Sequence, residues 1–295
     1  MAARILDGKQ FAGRLNEQTA TWTKALIEQT GVTPGLGVVL VGDDPASISY
    51  VTAKERACAA VGIRSEEHRL PATTSSNDVL ALVGRLNADR AIHGILVQLP
   101  LPRQIDEQAV IEAIHPDKDV DGFTPVNVGR LLIGQPCFIP CTPHGIIQLL
   151  IDSGIETAGR HAVVVGRSNI VGKPVAQLLM RKAPGGNATV TVCHTGTRDL
   201  AAFTRQADIL IVAAGRPRTV TGAMIKPGAA VIDVGVNRLA DPTTTKGYRL
   251  VGDVDFESAR EVAGWITPVP GGVGPLTIAM LMRNTLESAK RMHGV

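Results

Sequence analysis

Aromatic residues are scarce: two Trp, two Tyr and five Phe make up 3% of the 295 residues. A surface that stacks nucleobases interleaves aromatic and basic side chains, so this composition argues against nucleic acid as a partner. Cysteine is sparse too. Cys58, Cys137, Cys141 and Cys193 show no CxxC spacing and the seven His form no HExxH pattern, so no metal site is expected and the thiols read as reduced, buried groups. Lys and Arg never cluster; 30 basic against 27 acidic residues leave a net charge of +3 spread along the chain, which implies neither a polyanion nor a membrane surface. The opening MAARILDGKQF lacks the apolar core of a secretion signal, and no apolar run approaches the ~18 residues of a membrane span. A cytoplasmic location is expected.

What the chain does contain is 44% hydrophobic residues, and it is rich in Ala, Val, Leu and Gly, which suits parallel α/β architecture. Helical spacing over Gly8 to Gln29 sets Phe11, Leu15, Trp22 and Leu26 on one face, ahead of a strand at Leu36 to Val41. Helix is predicted again over Ala46 to Val61, then a polar strand near Arg64 to Arg69, a helix near Asn77 to Asn87, and the buried strand Gly94 to Leu99 stopped by Pro100 and Pro102. A short helix, Glu107 to Ile114, leads into the charged loop HPDKDVDGF; Phe138 to His144 punctuates the chain before a helix over Gly145 to Ser153. Beyond that the rhythm repeats with strands at 162–165, 189–193, 209–213 and 230–234 and helices between, the pattern of a doubly wound unit. The expected organisation is two domains, 1–143 and 144–275, with a helix from Leu276 returning to the first.

GRSNIVGKP, Gly166 to Pro174, follows the apolar strand directly. A Walker loop requires GxxxxGK[ST]; here five residues separate Gly166 from Gly172, and Pro174 replaces the metal-binding hydroxyl. A dinucleotide fold needs a glycine at the strand end and a helix N-terminus facing the phosphates, which Gly166, Ser168 and Gly172 supply as GxSxxxG. An ordinary glycine-rich turn fits the pattern as well. The next strand ends TVTVCHTGTR, with His194 and Thr195 in place of the acidic residue that reads a free ribose hydroxyl, and Arg167 adds a planar cation; together they favour NADP over NAD. Taken alone, Arg167 equally suits a solvated turn.

In the first domain, Tyr50 and Lys54 stand four apart and share a helical face. Lysine in a desolvated pocket can act as a base near neutral pH, although such pairs also occur on plain surface helices. Gln98 lies at the carboxyl end of an apolar strand, where open α/β sheets bind ligands. Asp121, in DKDVDGF, could hold a cation, accept N–H groups of a heterocycle, or belong to a solvated turn.

These segments carry a resemblance. YVTAK (Tyr50 to Lys54), VQLPLP (Val97 to Pro102), DKDVDGF, PCTP (Pro140 to Pro143), GRSNIVGKP and PVPGGVGPLTIAML (Pro268 to Leu281) are similar to the bifunctional methylenetetrahydrofolate dehydrogenase/methenyltetrahydrofolate cyclohydrolase family over nearly the whole chain. The resemblance implies an N-terminal α/β catalytic domain and a Rossmann-like NADP-binding domain. It also implies a cytosolic homodimer, acting in the one-carbon metabolism that feeds purine biosynthesis, that oxidises 5,10-methylenetetrahydrofolate with NADP and hydrolyses the methenyl product to 10-formyltetrahydrofolate. From the chain length, no fused formate-activating ligase domain is expected. By position, Lys54 matches the family's essential lysine, Tyr50 the tyrosine stacked on folate, Gln98 the residue that positions the lysine, and Asp121 the carboxylate that grips the pterin. Val97 and Leu99, with Pro270, Gly271, Gly272, Val273 and Gly274, are implied to line the folate, and Gly166, Arg167, Ser168, Thr195 and Val236 to hold NADP. Gly196 departs from the pattern, since many members follow this strand with a basic residue. A shikimate- or amino-acid-type dehydrogenase would not be expected to have the PGGVGP loop, and a dinucleotide sensor without catalysis would not need Tyr50, Lys54 and Gln98.

Overall fold

The structure, a computed structural model, describes residues 2–244 and 247–295. It divides into two compact units: the first comprises Gly13–Cys141 and Ile278–Val295, the second the segment up to Ala12 together with Thr142–Thr277. In chain order the elements begin β1 (Arg4–Ile5), α1 (Gly8–Thr30), β2 (Gly35–Val41), α2 (Pro45–Val61), β3 (Arg64–Leu70), α3 (Ser76–Ala88), β4 (Gly94–Val97), α4 (Glu107–Ala113) and α5 (Pro125–Leu132). There follow α6 (Cys141–Asp152), β5 (His161–Val165), α7 (Gly172–Met180), β6 (Thr189–Cys193), α8 (Leu200–Thr204) and β7 (Ile209–Val212). The chain closes with β8 (Ala230–Asp233), β9 (Asn237–Ala240), β10 (Tyr248–Val251), α9 (Phe256–Arg260), β11 (Trp265–Ile266) and α10 (Val273–His293).

The first unit is built on a parallel sheet in the order β3-β2-β4. β2 is buried along its whole length, as a central parallel strand covered on both faces must be. Leu36 and Leu40 are almost wholly removed from water, each worth roughly 1.5–3 kcal/mol relative to exposure. Val39, Ile95, Val79, Leu82 and Val83 of β2, β4 and α3 form one core. α2 starts sharply because the Asp44 carboxylate accepts the Ser47 N–H at 2.8 Å and Pro45 occupies the first turn, and it stops at Gly62, whose φ of +77° is left-handed. The latter part of α10 belongs to this unit: Leu286 and Ala289 pack on Leu26, and the Ser288 hydroxyl donates to the carbonyl oxygens of His93 and Asp117.

The second unit carries the expected doubly wound sheet, six parallel strands in the order β6-β5-β7-β8-β11-β1. Strand order reverses between β5 and β7, so the carboxyl ends of these two strands open a crevice. Three local differences from the sequence expectations have physical causes. Residues up to Ala12 cluster with the second unit because Arg4 and Ile5 pair in parallel with Trp265 and Ile266. α6 begins at Cys141 and α10 at Val273, several residues early, since Pro143 and Pro275 stand in first turns, where a missing N–H removes no helical bond. The antiparallel pair β9 and β10 interrupts the α/β rhythm. Among the described residues no helix is long and apolar enough to cross a membrane.

Candidate functional site

In the first unit the strand order also reverses, between β2 and β4, and the predicted residues gather at that edge. The Lys54 amine, from α2, donates to Gln98 Oε1 at 2.9 Å, just past the end of β4. Gln98 Nε2 donates to the Leu99 carbonyl at 2.8 Å, which fixes the amide so that its oxygen faces the lysine. Lys54 is only 8% exposed. Burial therefore lowers its pKa below that of a free lysine, while the Asp121 carboxylate opposes that fall. Asp121 moves the other way, burial raising its pKa against the pull of Lys54. The neighbouring thiols stay protonated at neutral pH: burial pushes Cys58 up to about 12 and Cys141 well above its usual value. Tyr50, one turn before Lys54, is 42% exposed. Val97 is buried in the strand, and Leu99 lies in the loop after it.

The acidic loop resolves into distinct roles. Asp119 accepts N–H groups of Gly122, Phe123 and Thr124, the Thr124 hydroxyl and the Asn127 amide, all within 3.1 Å, so it shapes the turn that presents Asp121. Asn284, from α10, braces the same loop by donating to the Val120 carbonyl at 2.8 Å. Neither residue is marked by sequence pattern, because the three Asp of DKDVDGF look alike until the turn closes. No group of three or more His, Cys, Asp or Glu side chains is placed to hold a metal ion among the described residues.

In the second unit, Gly166, Arg167, Ser168 and Thr195 line one pocket of about 390 Å³ at the carboxyl ends of β5, β6 and β7. The glycines are obligatory. Gly166 has φ +134° and a Cβ there would overlap the Ala213 carbonyl, while a Cβ on Gly172 would overlap the Gly166 carbonyl. Bare backbone at the start of α7 lets an anion approach closely, which is the fit a dinucleotide requires. Ser168 Oγ accepts the Val171 and Gly172 N–H groups at 3.2 and 3.4 Å and so organises the turn itself. The pocket also takes in Thr197, Leu200, Ala213 and Arg216, which the sequence reading does not single out, although Gly215-Arg216 after a buried strand is a usable signal. Val236 is 48% exposed in the connection from β8 to β9 and does not line this pocket. Beneath the β7 end, Asp253 Oδ2 accepts the Ala214 and Gly215 N–H groups at 2.7 and 2.8 Å, and buried Asp233 accepts those of Asp253, Val254 and Gly235. Another hollow of about 450 Å³ lies at the amino ends of the strands, but its Lys226 is paired with Asp208 at 2.6 Å and its Arg160 with Glu156 at 2.9 Å, leaving little charge for a ligand.

Pro270 to Gly274 also belong to the second unit, apart from Lys54 in the first. Gly271 has φ +110°, and its carbonyl accepts the Lys9 N–H at 3.1 Å; a Cβ on Gly272 would come within 2.6 Å of the Pro268 carbonyl oxygen.

A glycine turn at the reversal point of a parallel sheet, with cations and no carboxylate on the pocket wall, defines a dinucleotide-binding α/β protein, here joined to a second α/β unit carrying a buried lysine. Residues 6–121 match the family model described as tetrahydrofolate dehydrogenase/cyclohydrolase, catalytic domain, and residues 140–293 match its NAD(P)-binding domain. The chain belongs to the tetrahydrofolate dehydrogenase/cyclohydrolase family. It is 60% identical over 291 residues to the bifunctional protein FolD of Moorella thermoacetica, covering 99% of this chain and 100% of the relative, and 55% identical over 296 residues to that of Dehalococcoides mccartyi, covering 100% and 99%. Among solved structures, the Trypanosoma brucei dehydrogenase-cyclohydrolase complexed with NADP and an inhibitor aligns with TM-score 0.95 at 44% identity over 100% of both chains. The Campylobacter jejuni bifunctional enzyme aligns at 0.92 and 47% over 99% of this chain and 100% of that one.

Proposed function

We propose that this chain oxidises 5,10-methylenetetrahydrofolate with NADP and then hydrolyses the methenyl product to 10-formyltetrahydrofolate. The observation that carries the reading is the buried Lys54 amine held on Gln98, with its pKa depressed by burial. NADP, when bound, supplies the acceptor for the hydride. The protein's part in that step is positioning, since two folate nitrogens already delocalise the charge left on the one-carbon centre. For hydrolysis, water adds to the cationic methenyl carbon, the bond from that carbon to N5 later breaks as N5 takes the second water proton, and the first proton must leave the adduct. Lys54 takes it, because desolvation and the cation both favour the neutral amine. Gln98 keeps the amine aimed, Asp121 accepts N–H groups of the pterin, and the exposed Tyr50 ring, Val97 and Leu99 line the folate; the family resemblance assigns the Pro270 to Gly274 backbone of the second unit to folate binding as well. Gly166, Arg167, Ser168 and Thr195 hold the cofactor phosphates, with Val236 toward the nicotinamide. We place the enzyme in the cytoplasm as a homodimer serving purine synthesis, a reading supported by the family resemblance. The family match sets aside a shikimate-type dehydrogenase or a sensor.

The test supplies methylenetetrahydrofolate and NADP, follows cofactor reduction, and then measures hydrolysis of purified methenyltetrahydrofolate. Replacing Lys54 (Lys54→Met) is expected to lower hydrolysis about 10²–10⁴-fold, with NADP affinity kept; hydrolysis at the wild-type rate would overturn the assignment.

A further inference from the structure

We propose that Arg216 is the cation that selects a 2′-phosphorylated dinucleotide; this rests on the NADP reading above and names the residue that enforces it. The pocket of the second unit is lined by apolar Val165, Leu200 and Ala213 and also by Arg167, Thr195 and Arg216. Apolar lining suits a flat heterocycle, and planar guanidinium groups suit a phosphate, which they can bind through two hydrogen bonds each. No Asp or Glu lines the pocket to repel it.

The β6 end cannot supply the second cation from position 196. The Gly196 N–H donates to His194 Nδ1 at 3.0 Å, and a Cβ on Gly196 would lie 3.1 and 3.2 Å from the imidazole ring, so a longer side chain there crowds the ring that anchors the turn. Arg216 approaches the same space from the end of β7. Its backbone is fixed from three directions. Asp253, fully buried, clamps the two preceding amides, Gly215 turns with φ +68°, and the Arg216 carbonyl accepts the Thr219 hydroxyl at 2.9 Å. The main chain is thus held while the exposed guanidinium remains free to close on a ligand. The pyrophosphate falls to the Gly166 turn and the α7 N-terminus, which leaves the ribose phosphate for Arg216.

The experiment is direct calorimetric binding of NADP, NAD, adenosine 2′,5′-bisphosphate and ADP to the full chain, as wild type, Arg216→Gln and Arg216→Glu. Arg218→Ala, an exposed neighbour outside the pocket, is the control. Arg216→Gln is expected to weaken NADP and the bisphosphate about 10-fold or more, a lost charge-assisted bond, and Arg216→Glu further, while NAD and ADP stay within about twofold. Equal weakening of NAD and NADP would assign Arg216 to the heterocycle or pyrophosphate and overturn the inference, as would unchanged NADP binding. A wild-type chain that binds neither dinucleotide would overturn the NADP reading itself. Because Arg216 is exposed, unchanged melting temperatures are expected to accompany the affinity changes.

Discussion

At the edge of β4, Lys54 is 8% exposed and its amine is tied to a glutamine; at the edge of β5, Arg167 and Arg216 stand in the open. The two units share a plan, since each is a parallel sheet whose strand order reverses beside its candidate site. They differ in what they do with water. Removing water from a lysine changes its proton affinity, which matters to a group that must take a proton. An arginine stays charged at any accessible pH, so burying it would cost desolvation energy without tuning anything. On the function proposed above, the first unit serves proton chemistry and the second anion capture.

The sharpest way to break that division is to exchange the expected losses. Lys54→Met should remove hydrolysis of methenyltetrahydrofolate by about 10²–10⁴-fold and leave the NADP dissociation constant unchanged. Next in size is Gly166→Val, which places a branched side chain at φ +134° against the Ala213 carbonyl. The backbone term alone is worth about 1–3 kcal/mol, so a clear fall in the denaturation midpoint with loss of NADP binding is expected, and hydrolysis measured below the transition should persist. Arg167→Ala should weaken NADP roughly 10-fold, the worth of one charge-assisted phosphate contact, with hydrolysis intact. If Arg167→Ala slowed hydrolysis of supplied methenyl substrate as much as Lys54→Met does, the contrast between the units would fail.

How far the chain could be read ahead of its structure follows the same physics. β2 and β5 are runs of buried aliphatics, and the glycine turn after β5 announces itself because only glycine fits there. Lys54 and Gln98 could be placed on a helix and at a strand end, but their 2.9 Å bond depends on β2 and β4 being neighbours. Two-residue strands such as β1 and β11 carry no alternation and exist through pairing between distant parts of the chain. Asp119 and Asp121 share one motif, and Arg216 resembles any loop arginine until β7 brings it to the pocket.

The smallest expected effect is a pH response in which the units oppose each other. In the first unit His93 Nδ1 accepts the Gly35 N–H at 3.0 Å, so its other nitrogen carries the proton toward His293, 3.2 Å away. Burial first, then His293, Lys118 and Arg64, lower His93 to about 4, with Asp89 opposing. The unfolded chain therefore binds more protons between pH ~6.5 and ~4, and stability contributed by neutral His93 is lost as pH falls through that window. In the second unit burial raises Asp233 to about 6, Asp253 adding to the rise and the N–H groups of Val254, Asp253 and Gly235 opposing it. Here the folded chain binds the extra proton, so stability is lost as pH rises through about 6 and regained on acidification toward ~4. Each shift is worth about 3 kcal/mol at ~1.4 kcal/mol per pK unit, and with opposite signs they nearly cancel for the whole molecule. Amide hydrogen exchange separates them, because taking the pH from 6.5 to 4 should reduce protection at Gly35 relative to intrinsic rates and increase it at Asp253 and Val254. Protection that moved the same way at both places would show that burial does not tune these two groups as the contrast requires.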